Sequence, residues 1–108
     1  MHIAFLTQEL RKLAEKEAYA NRILGESISV VLRKRLADLD AATNLKDIIV
    51  GSPSVADIAG EEVYTIHLVG NTQIVLRNNH PKKRAENSSK EDWLNLDRVI
   101  ILSIGESQ

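Results

Sequence analysis

The sequence predicts a single α+β domain in which an N-terminal strand and a helical hairpin pack on a mainly antiparallel sheet of about four strands. Three observations point there. A short apolar run opens the chain, two consecutive stretches of helical periodicity follow, and the second half carries a hairpin signature and a closing β-branched run. Helices and strands are thus grouped, not alternated as in a parallel α/β sheet. With 108 residues, 44% of them hydrophobic, the chain can build one core and is short for two ordinary domains.

Ile3-Ala4-Phe5-Leu6 reads as a first strand or an apolar anchor, and Thr7 behind it can cap a helix by accepting a backbone N–H. From Gln8 to Leu24 the pattern predicts one helix, with Leu10, Leu13, Ala14 and Ala18 on its apolar side. Gly25 stops it, because glycine enters left-handed backbone without steric cost. A second helix starts near Glu26 or Ser27 with Ile28, Val31, Leu32, Leu36 and Leu39 as its stripe, completing an αα-hairpin.

Between Asn44 and Ala59 periodicity is lost, and Gly51-Ser52-Pro53-Ser54 signals a turn, so this segment reads as the main connector. Val63 to Val69 and Thr72 to Arg77 then flank Gly70-Asn71 as a two-residue hairpin. Setting Val69 opposite Thr72 pairs Leu68 with Gln73, Ile66 with Val75 and Tyr64 with Arg77 on one face. His67 with Ile74 and Thr65 with Leu76 fall on the other. Residues 78–92 are polar and mixed in charge, as expected of a mobile loop. Arg98 to Ile104 reads as a central strand covered on both faces.

Composition narrows the chemistry. The absence of cysteine excludes disulfides, thiolate metal sites and thiol catalysis, and fits a reducing, cytoplasmic setting. Three dispersed histidines, His2, His67 and His80, lack metal-ligand spacing, so neither a metal nor another cofactor is expected. No basic leader and no apolar run of membrane-span length is present. Fourteen basic against fifteen acidic residues, a net charge of -1, leave no global field to draw the chain onto nucleic acid, so any such site must be local.

The ordered set Leu32-Arg33-Lys34-Arg35-Leu36-Ala37-Asp38-Leu39-Asp40-Ala41-Ala42, Ala59-Gly60-Glu61, and Asp92-Trp93 leading through Val99-Ile100-Ile101-Leu102 to Ile104-Gly105 resembles the RelE/ParE superfamily of toxins, in its HigB-like or killer-protein branch. The resemblance implies a curled antiparallel sheet on a helical hairpin and a cognate antitoxin, expected to be of helix-turn-helix type. In active members it also implies ribosome-dependent cleavage of messenger RNA; a gyrase-directed toxin is a further member class. The chain departs from the pattern at Gln73, where relatives usually carry Arg, and at Gly105-Glu106-Ser107-Gln108, where they often close with Gly-Asp-Tyr-His. The alternative is therefore a catalytically inactive toxin-fold module that binds an antitoxin or another protein.

Cleavage of this kind needs a proton-transfer group and cations for the developing phosphate charge. The residues available are His67 and Glu106 for proton movement, Tyr64 for stacking on a base, and Gln73, Arg77, Lys82, Lys83 and Arg84 for RNA contacts. Each has a plainer reading: Tyr64 with Arg77 as a surface strand pair, His67 as a structural histidine, Lys82 to Arg84 as a solvated loop. Trp93 reads as the anchor that pins the loop's return, or as a stacking platform.

Overall fold

The computed structural model describes residues 1–79 and 93–106, which form three helices and one five-stranded sheet. Strand β1 (His2–Phe5) leads into α1 (Gln8–Glu15), α2 (Glu17–Leu24) and α3 (Glu26–Ala41), followed by a single 3-10 turn at Leu45–Asp47. The meander β2 (Ser54–Ile58), β3 (Glu61–His67) and β4 (Thr72–Asn78) precedes β5 (Arg98–Glu106). The sheet order is β1-β5-β4-β3-β2, so β4 is the middle strand, β5 is interior beside it with one face buried and not the two expected, and β1 and β2 are the edges among the described strands. β1 runs parallel to β5, and the other pairings are antiparallel.

Five strands replace the expected four because the presumed connector contains one. Val55-Ala56-Asp57-Ile58 lacks an apolar alternation, since β2 is an edge strand packed on one side only and mostly exposed. Its turn to β3 uses Ala59 and Gly60, both with positive φ, a geometry that matches the twist of flanking strands. The Asp57 carboxylate accepts the Gly60 N–H at 3.1 Å and holds that turn.

The first helical stretch is also two helices, not one. Thr7 caps α1 as expected, its hydroxyl accepting the Leu10 N–H at 3.2 Å. Lys16 then leaves helical backbone, with φ -115° and ψ 102°. The break resets the helical phase, so that Ala20 is buried and Ala18 exposed. Gly25, at φ 89°, ends α2, and α3 buries Leu32 and Leu39 from the expected stripe.

Helices and the 45–48 segment cover one face of the sheet. There Leu10, Leu13, Leu32, Leu39, Leu45 and Ile48 meet Ile66, Leu68, Ile74, Leu76, Val99 and Ile101. Burying side chains of this size contributes about 1.5–3 kcal/mol each. Val99, Ile101 and Ile104 all reach this core although the last interval is three residues. A register shift opposite Val75 and Leu76 absorbs Leu102 and returns Ile104 to the covered face.

The hairpin register differs from the expected one by a single residue. Tyr64 lies opposite Leu76, Ile66 opposite Ile74 and His67 opposite Gln73. The turn itself forms as predicted, with the Thr72 N–H donating to the Val69 carbonyl at 2.9 Å. The Thr72 carbonyl, however, takes its hydrogen bond from the Leu68 N–H at 2.9 Å, so Leu68 and Val69 together face one residue. Thr72 makes this bulge stable. Its buried hydroxyl accepts the displaced Val69 N–H at 3.0 Å and donates to the Val69 carbonyl. With the slip, Tyr64, Ile66 and Leu68 share a face with Ile74 and Leu76; the regular hairpin would have set them beside Val75 and Arg77.

The expected 78–92 loop is corrected at its start, because Asn78 belongs to β4 and the Asn79 N–H still bonds the Arg98 carbonyl at 3.1 Å. Its mobility, and Lys82, Lys83 and Arg84, lie outside the described residues.

Candidate functional site

Strand alternation sorts the predicted site residues into two groups. His67, Gln73 and Arg77 point away from the helices, together with Thr65 and Ser54. Tyr64 points into the core and is 2% exposed.

On the outer face His67 and Gln73 are direct cross-strand partners, and Gly105 lies beyond Gln73 on β5. His67 is exposed and its N–H bonds the Gly51 carbonyl, so the expected neighbour Ile74 is replaced by a polar one. Arg77 sits four residues along β4, roughly 13 Å away at about 3.3 Å per residue. Its guanidinium pairs with the Glu61 carboxylate at 3.6 Å, and its Nε is buried without a hydrogen-bond partner among the described residues. Glu106 ends β5 opposite Thr72, exposed, and strand alternation turns it to Thr72's side of the sheet, away from His67 and Gln73. His67 and Gln73 are thus brought together, Arg77 lies apart on the same face, and Glu106 lies on the opposite face.

Tyr64 has a structural role in place of the RNA contact and the surface pairing with Arg77. Its ring stacks on Trp93, with centroids 5.6 Å apart and planes at 17°. The Trp93 indole N–H donates to the Glu62 carboxylate, so the tryptophan covers two residues of β3 at once. Burial pushes the Tyr64 phenol above its ordinary pKa of 10.0. Trp93 is 4% exposed and is the anchor at the segment's return, where Leu96 also enters the core.

Among the described residues no group of three His, Asp or Glu side chains converges. No helix among them is long and apolar enough to cross a membrane.

Sequence reasoning missed a second region. The β2 edge exposes Val55 and Ile58 at 38% and 42%, and just before it Ile49 and Val50 stand out at 84% and 50%. Two features hold Ile49 and Val50 outward. Ile48 is buried beneath them, and Gly51 behind them is fixed through the His67 N–H. Gly51 has φ 92°, and a Cβ there would lie 2.8 Å from Ile66 Cγ2 and 2.9 Å from the His67 carbonyl oxygen. The Gly51-Ser52-Pro53 signal was legible as a turn, but not that the turn displays the apolar pair before it.

Comparison with protein-family models, curated proteins and solved structures gives no match. No family is shown. The surface of the sheet therefore has to carry the functional reading.

Proposed function

We propose that the chain is a non-catalytic binding module on a RelE/HigB-like toxin scaffold, engaging a protein partner of antitoxin type along the β2 edge. The observation that carries this reading is that edge: a five-residue strand with one side unpaired among the described residues and two exposed apolar side chains, flanked by Ile49 and Val50. An open edge offers backbone donors and acceptors to an added strand, while alternate side chains supply selectivity. The outer face supports the same reading from the other direction. Tyr64 is committed to the core and Arg77 is engaged by Glu61.

The second reading is a ribosome-dependent mRNA interferase acting in the cytoplasm. It is favoured by the His67-Gln73 pair on the outer face, with Glu106 at the same end of the sheet but on its other side. Under that reading His67 and Glu106 would move protons, and Gln73, Arg77 and the Lys82 to Arg84 run would hold RNA.

Two measurements separate them. In reconstituted translation the binding-module reading expects intact message with or without ribosomes. Amide hydrogen exchange expects protection of Ser54 to Ile58 when the chain is bound to a helix-turn-helix antitoxin. Cleavage that requires ribosomes and is lost in Arg77→Ala overturns the first reading in favour of the second.

A further inference from the structure

The surface between the C-terminal end of α3 and the 47–50 segment forms a groove of about 260 Å³, with Ala41, Ile49 and Val50 as apolar lining and Asp38 and Asp47 as its charges. We infer that this groove receives an apolar side chain from a basic amphipathic helix of the partner protein. The inference rests on the partner-binding reading above and gives that partner its chemistry.

Size comes first. Small-molecule sites generally span about 300–1,000 Å³, so this volume suits one or two large side chains better than a free ligand. Presentation comes next: Ile49 and Val50 are set between buried Ile48 and the fixed Gly51 backbone, so little ordering remains to be done on binding.

Charge selects the occupant. The lining holds two carboxylates and no cation, and α3 has no basic residue in its last turn, where the helix dipole is negative. Asp38 is already bonded to Arg35 at 2.7 Å, and the Asp47 carboxylate accepts the Thr43 N–H at 3.0 Å. Both acids are thereby held in place, and each retains acceptor capacity for an incoming Lys or Arg. Exposed Asp40 adds to the same sign, while Lys46 and the Met1 nitrogen on the Ala42 carbonyl oppose it. Apolar centre and acidic flanks together match a helix carrying a Leu-type stripe bordered by cations.

The test uses two labelled helical peptides of about 18 residues, roughly five turns, one built from Leu and Lys and the other from Leu and Glu. Fluorescence anisotropy with the full chain should show the Leu–Lys peptide binding at least about tenfold more tightly than the Leu–Glu peptide. Ile49→Ser should weaken it by about tenfold or more, Asp38→Asn by less, and Ile23→Ser, an exposed apolar position on α2, hardly at all. Ile49→Ser is expected to fold normally because the side chain is 84% exposed, and circular dichroism checks this.

Equal affinity for both peptides, no binding of the Leu–Lys peptide, or indifference to Ile49→Ser overturns the inference. Dimerisation in sedimentation that Ile49→Ser abolishes also overturns it, by giving the groove to a second copy. Any of these can occur while β2 is still protected by a whole antitoxin, which would leave the edge reading intact. Loss of β2 protection with peptide binding preserved would sink the edge reading alone.

Discussion

The two faces of the sheet are built from the same strands and have opposite characters. On the covered face Tyr64, Ile66, Ile74 and Leu76 are locked between helices and Trp93. On the outer face the accessible Thr65, His67, Gln73 and Arg77 alternate with them, beside buried Val63 and Val75. Strand geometry forces this division, since successive side chains point to opposite sides. The lesson is that a functional role for Tyr64 alongside Arg77 required a register that the core forbids. A single hydroxyl, Thr72, lets the turn accommodate the register that the core demands.

If the covered face carries the stability, its residues should dominate any ranking of substitutions. Trp93→Ala removes the stack on Tyr64 and the bond to Glu62, and should cost about 3–5 kcal/mol by urea denaturation. Gly51→Ala should follow. The positive φ alone is worth about 1–3 kcal/mol of strain, and the close approach to Ile66 and His67 adds to it. A Gly51→Ala protein as stable as the parent would mean that Ile49 and Val50 are not displayed by a fixed backbone.

Thr72→Val keeps the shape and deletes the hydroxyl, leaving the Val69 N–H without its acceptor at a cost of about 1–3 kcal/mol. Cross-strand nuclear Overhauser effects should still pair His67 with Gln73 if core packing sets the register, and should pair His67 with Ile74 if the hydroxyl alone does. On the outer face, the double substitution His67→Ala with Gln73→Ala should change stability by no more than about 0.5 kcal/mol. A larger loss would show that this face is also structural.

Alkaline titration sharpens the contrast further. Burial raises the folded Tyr64 pKa above the ordinary 10.0, so the phenol is neutral in both states below that pH and its contribution is fully present there. Above it the unfolded chain ionises first, and stability should fall as pH rises toward the folded value. Phenolate absorbance should show Tyr64 titrating late, and Tyr64→Phe should flatten the alkaline part of the stability profile.

Much of the architecture was legible because local signals and burial agreed. Thr7 and Gly25 marked helix ends, and Leu32, Leu39, Val99 and Ile101 lay on recognisable apolar patterns. The break at Lys16 was not legible, since neither glycine nor proline marks it. Strand β2 was hidden because an exposed edge strand needs no alternation, and Ala59-Gly60 is a weaker hairpin signal than Asn-Gly. The register was recoverable in principle. Only an even pairing puts Tyr64, Ile66 and Leu68 beside Ile74 and Leu76, a criterion that outweighs turn length.

The site was legible residue by residue but not as an arrangement. Sequence placed His67, Gln73 and Arg77 on adjoining strands; that Gln73, and not Ile74, stands opposite His67 follows from register. The apolar pair Ile49-Val50 was visible as letters, while its exposure depends on buried Ile48 and the constrained Gly51.

The central claim is that this sheet binds a partner and does not assemble an RNA-cleaving centre. Primer extension on messages from reconstituted translation, with folded protein and with or without ribosomes, tests it most directly. The account predicts full-length message in both reactions. Ribosome-dependent ends that vanish in His67→Ala and in Arg77→Ala would contradict it and make the outer face catalytic.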